Sequence, residues 1–108
     1  MRILFDHGTP SGIAQSLAGH EVTEAMERGW HTISNGELLN VAEAAGFELL
    51  LTTDKGIRYQ QNLTGRKTAI VVLGNSTWRV VRRYLDRIAS VEAGAKPGSY
   101  SEVDTPLN

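Results

Sequence analysis

Two aspartates carry the clearest chemical signal in this chain. Ile3-Leu4-Phe5 is a short apolar run that ends on Asp6, and Leu49-Leu50-Leu51-Thr52-Thr53 runs straight into Asp54. Continuous rather than alternating apolarity reads as a strand buried on both faces, the pattern of a parallel sheet. Each aspartate is therefore expected at the carboxyl end of a buried strand, where open parallel sheets bind ligands at a reversal of strand order. Two carboxylates sharing one crevice repel each other, and a divalent cation relieves that cost. Hard oxygen ligands suit Mg²⁺ or Mn²⁺. The competing explanation is structural, because aspartate is also a common helix cap and turn residue.

Glu37 is the next candidate. It lies in the first turn of a helix expected from about Asn35 to Ala45, off the main apolar stripe, and could lean toward the same crevice. Ser34-Asn35-Gly36-Glu37 also fits a capping box, with Ser34 as N-cap and Glu37 at the third helical position. Glu43 falls nearly opposite the Leu38, Ala42 and Ala45 face and reads as a solvated charge. Downstream of Asp54, the polar stretch from Lys55 to Lys67 holds Arg58, Gln60, Gln61, Asn62 and Arg66. Its amides and guanidinium groups suit phosphate, although an ordinary polar connection looks the same. Arg79, Arg82, Arg83 and Arg87 make either a phosphate-contacting stripe or a solvated helix face partly offset by Asp86. His7 adjoins Asp6 and is either a proton carrier for that crevice or a plain loop residue. His7, His20 and His31 lack metal-ligand spacing, and neither a Gly-rich phosphate loop nor a Gly-x-Ser-x-Gly elbow occurs.

The elements that must position these residues follow from periodicity and punctuation. After the first strand, Thr9 as N-cap and Pro10 at the first helical position open a helix carrying Ile13, Ala14, Leu17 and Ala18, which Gly19 stops. His20–Thr23 gives a weak second strand, and residues 25–33 show no period. The Asn35 helix ends at Gly46, and the Leu49 strand follows. Thr68 to Leu73 is another buried strand, closed by Gly74-Asn75. Ser76 or Thr77 then caps a helix to about Ala93 whose apolar face is Trp78, Val81, Tyr84, Leu85, Ile88 and Val91. Residues 94–108 form either a loose tail or an edge strand at Tyr100–Val103. Strands alternating with helices predict an α/β fold, with a three-layer arrangement of a parallel sheet and helices on both faces, in one domain over residues 1–108.

Composition bounds the function classes. The chain has 108 residues, of which 41% are hydrophobic and 21% charged, as in a folded globular protein rather than a disordered or fibrous one. It contains no cysteine, which excludes disulfides, thiolate metal sites and thiol nucleophiles. No apolar run approaches the roughly 18 residues of a membrane span, so no membrane partner is expected, and a cytoplasmic location is the default. The net charge of −1 gives no global attraction to nucleic acid, so any such contact must come from a local patch.

Taken in order over roughly residues 1–90, Ile3-Leu4-Phe5-Asp6, Gly19-His20-Glu21-Val22, Asn35-Gly36-Glu37-Leu38-Leu39, Ala42-Glu43-Ala44-Ala45-Gly46-Phe47 and Leu51-Thr52-Thr53-Asp54-Lys55 resemble a family of short PIN-like proteins. PIN domains are α/β folds with a parallel sheet. Active members, including VapC-type toxins, are metal-dependent ribonucleases in which strand-end acids hold Mg²⁺ or Mn²⁺ to activate water against a phosphodiester. By position, Asp6 matches the first acid of that pattern and Asp54 the first acid of its later Thr-x-Asp-x-Asp-like motif. Two positions depart from it. Asn35 stands where the middle helix often begins with Asp, with Glu37 two residues on, and Gly56 replaces the second acid after Asp54.

The resemblance thus implies a ribonuclease with a reduced acidic site. Asp6 and Asp54 would be the metal ligands, Glu37 would complete the catalytic set, and Asn35 would orient a ligand or water. Arg58, Gln60, Gln61 and Asn62 would hold RNA. Fewer carboxylates imply a cation that is loosely held, recruited with substrate phosphate, or absent. The alternative is a catalytically degenerate PIN-like module that binds RNA or a partner protein. An antitoxin partner fits either version, and relatives often form homodimers, for which the Trp78 helix offers a face. A receiver-like phosphoacceptor domain centred on Asp54 is the third reading. It lacks the usual second acid beside Asp6 and a lysine at the end of a late strand.

Overall fold

The computed structural model describes residues 1–57 and 65–106, apart from the side chain of Asn35. Five strands form one all-parallel sheet: β1 (Arg2–Phe5), β2 (Glu21–Glu24), β3 (Leu49–Thr52), β4 (Ala69–Leu73) and β5 (Tyr100–Val103), in the order β2-β1-β3-β4-β5. Strand order therefore reverses between β1 and β3, the two strands that lead into Asp6 and Asp54. β3 and β4 are buried at every position, as their unbroken apolar runs require.

Side chains alternate along each strand, so the sheet builds a core on each face. One core gathers Ile3, Phe5, Leu49, Leu51, Val71 and Leu73 with Ile13, Leu17, Val81 and Ile88. The other gathers Leu4, Leu50, Ile70 and Val72 with Leu38, Leu39 and Ala42 of helix α1 (Asn35–Ala44) and with Phe47 and Ile57. The α/β expectation holds at this level. α1 starts where expected, with the Ser34 hydroxyl accepting the Glu37 N–H at 3.3 Å. The Tyr100–Val103 edge strand is present, paired in register with β4.

Two elements differ from the sequence reading. Thr9 does not cap a helix. A 3₁₀ segment runs from Ser11 to Ser16 with Pro10 at its N-cap, while the Thr9 hydroxyl turns inward to the sheet. The long helix after β4 is also broken. It comprises α2 (Trp78–Val81), a 3₁₀ turn (Arg82–Tyr84) and α3 (Leu85–Ala93), with Tyr84 off helical dihedrals at φ −121° and ψ 21°. The returning chain binds this break, since the Tyr84 hydroxyl donates to the Pro106 carbonyl at 2.6 Å and the Arg87 guanidinium to the Asp104 carbonyl at 2.7 Å. Among the described residues, no helix is long and apolar enough to cross a membrane.

Candidate functional site

Register places Asp6. Phe5 pairs with Leu51, so the next step along both strands sets Asp6 beside Thr52. The Asp6 N–H continues the ladder, donating to the Leu51 carbonyl at 3.1 Å. The side chain is 8% exposed, which makes its hydrogen bonding obligatory. The Thr9 hydroxyl donates to Oδ1 at 2.5 Å, with the Leu51 carbonyl a further 2.9 Å neighbour, and the Thr52 hydroxyl donates to Oδ2. Two threonines on different segments thus fix the orientation of one carboxylate between β1 and β3.

Asp54 is half-buried two residues past the end of β3. Its N–H donates to the Thr52 hydroxyl oxygen at 3.1 Å, so Thr52 bridges the two aspartates: it donates to Asp6 and accepts from Asp54. Asp54 Oδ1 accepts the Gly56 N–H at 2.9 Å, an Asx-type turn that orients the loop after β3. Gly56, standing where a second acid would be expected, serves this turn through its backbone. The loop after β1 also packs tightly on this end of β3, since a Cβ on Gly8 would lie 2.8 Å from Thr53 Oγ1.

The other expected site residues fall as follows. Glu37 is exposed in the first turn of α1, and its backbone N–H completes the forward half of the capping box. The side chain of Asn35 and the whole of Arg58, Gln60, Gln61 and Asn62 lie outside the described residues. Among the described residues, no three His, Asp or Glu side chains gather into a metal-holding group. His7 is exposed, its ring centroid 6.3 Å from that of His31.

Two clefts lie at this end of the sheet, and Glu24, Glu27 and Asn75 in their linings are residues that sequence reasoning did not single out as site candidates. A cavity of about 250 Å³ beside Asp6 is lined by His7, Glu24 and Glu27, because β2 and the 3₁₀ turn Ala25–Arg28 that follows it flank β1. A second cleft of about 350 Å³, at the carboxyl ends of β3 and β4, is lined by Thr53, Lys55, Asn75, Ser76 and Thr77. Its side chains are hydroxyls, an amide and an ammonium, with no carboxylate among them. The sequence held one usable signal for this cleft: Gly74-Asn75-Ser76-Thr77 directly follows a buried strand.

Glu43 corrects another expectation. Instead of a solvated charge, its carboxylate accepts the backbone N–H groups of Lys67 and, at 3.2 Å, Thr68, with the Arg66 guanidinium 3.4 Å away. These contacts hold its pKa below the ordinary carboxylate value, the Lys67 N–H contributing most. α1 is thereby stapled to the segment entering β4.

No family model, curated protein or solved structure matches the chain. Fold and site therefore define a class only: a parallel α/β protein with an oriented, buried aspartate at the reversal point of its sheet.

Proposed function

We propose that this chain is a PIN-like, metal-dependent ribonuclease with a reduced acidic site, in which Asp6 and Asp54 hold Mg²⁺ or Mn²⁺. The observation that carries this reading is Asp6 itself, 8% exposed at the strand-order reversal, with both carboxylate oxygens oriented by threonine hydroxyls. The donor set fits such a cation, since it offers hard oxygen, and Mg²⁺ is commonly held by one or two carboxylates together with substrate phosphates. Bound there, the cation would supply Lewis-acid charge and an activated water.

The chain's own residues do the rest. Thr9 and Thr52 keep Asp6 in one rotamer, which lowers the reorganisation needed when a ligand arrives. Thr52 also couples Asp6 to the backbone of Asp54. Lys55, Asn75 and the hydroxyls of Thr53, Ser76 and Thr77 bind the phosphodiester in the donor-lined cleft. Glu37 and Arg58 with the Gln60–Asn62 amides remain part of the proposal as the third acid and further substrate contacts.

A second reading, a non-catalytic PIN-like module that binds RNA or a partner protein, is favoured by the same hydroxyl contacts. They tie β1 to β3 and give Asp6 a structural use that needs no metal. Thermal denaturation with and without Mn²⁺ separates the two. For the nuclease, Mn²⁺ raises Tm, Asp6→Asn and Asp54→Asn each abolish the rise, and single-stranded RNA is cut only with metal. An unchanged metal response in both variants overturns this reading. RNA binding that survives both substitutions, without cleavage, establishes the module.

A further inference from the structure

At the opposite pole of the sheet, the residues that enter β1, β3, β4 and β5 surround a cleft of about 390 Å³. We propose that this cleft binds a small amphipathic anion, an apolar body carrying one carboxylate. The inference goes beyond the proposed function, because the cleft shares no residue with the aspartate end of the molecule.

Size and lining both point to a small ligand. Binding pockets of this volume are mostly apolar with a few placed polar groups. Here Phe47, Ala69, Ala95 and Pro97 supply apolar surface, and Lys67 and Lys96 supply the cations.

Charge selects the anion. Two carboxylates also line the cleft, but both are engaged. Glu43 is held by the Lys67 and Thr68 N–H groups and by Arg66, and Glu48 Oε1 accepts the Arg2 N–H at 3.0 Å. The Arg2 guanidinium packs on the lining residue Phe47, 4.5 Å from its ring centroid, and donates to the Ala45 carbonyl. Among the described residues, neither the Lys67 nor the Lys96 ammonium has an acidic partner. The cleft therefore presents apolar surface beside two ammonium groups that form no ion pair among the described residues. A carboxylate at the rim would form charge-assisted hydrogen bonds with the lysines while its apolar body leaves water.

Octanoate is the probe, and its neutral analogue octanamide is the control, each titrated into the ¹⁵N-labelled full chain. Octanoate is expected to cause saturable shifts at the Gly46, Thr68, Ala69 and Ala95 amides and to bind more tightly than octanamide. The double variant K67E/K96E changes only exposed side chains and should retain the rest of the spectrum. It should weaken octanoate by about tenfold or more, the scale of a lost charge-assisted hydrogen bond. Absence of saturable shifts at those amides, equal affinity for octanamide, or undiminished affinity in K67E/K96E would each overturn the proposal.

Discussion

Thr52 does two jobs with one hydroxyl, donating to the Asp6 carboxylate and accepting the Asp54 N–H. Replacing it by valine keeps the volume and removes both bonds at a fully buried position. Thr52→Val should therefore cost about 1–3 kcal/mol in urea denaturation, while Thr52→Ser, which keeps the hydroxyl, should lose much less. Glu43 makes a pH-dependent contribution of known sign. Its carboxyl is held below the ordinary value of 4.5, so between the two pKa values the unfolded chain binds more protons than the folded one. The stabilisation is complete above 4.5 and is lost as pH falls through the lowered folded value. Glu43→Gln should therefore lower Tm at pH 7, and the gap to wild type should close under acid. A gap that stays constant with pH would contradict this linkage.

At the scale of elements, legibility tracked burial. β3, β4 and α1 stand where apolar runs, helical spacing and the Ser34 cap placed them, because those signals coincide with what the sheet buries. The segment after β1 did not. Thr9-Pro10 reads as a helix start, but a buried carboxylate outcompetes a helix N-terminus for the Thr9 hydroxyl. Trp78 was expected on an apolar face and is instead 41% exposed. The edge of its ring rests on the 3₁₀ segment, where a Cβ on Gly12 would come within 2.7 Å of it. Gly12→Ala should displace the indole and alter Trp78 fluorescence. The stability cost of that substitution should shrink in a Trp78→Ala background, and a double-mutant cycle measures the coupling. Equal costs in both backgrounds would show that the two elements do not meet there.

Across the whole molecule, the central strands β1, β3 and β4 have neighbours on both sides, whereas β2 and β5 form the edges. Hydrogen exchange should accordingly protect the β3 and β4 amides most, with β2 and β5 exchanging through smaller openings. Uniform protection across all five strands would contradict that hierarchy. The sequence alone determined that Asp6 and Asp54 end buried strands of an α/β protein, because unbroken apolarity before an acid has few other solutions in a parallel sheet. It also determined the cap of α1, which is local chemistry within four residues. Only the tertiary structure decided that β1 and β3 are neighbours at the strand-order reversal, that Thr9 and Thr52 converge on Asp6, and that Glu43 reaches the entry to β4. Strand order and hydrogen bonds between distant residues depend on which surfaces bury each other, and no window of neighbouring residues carries that information.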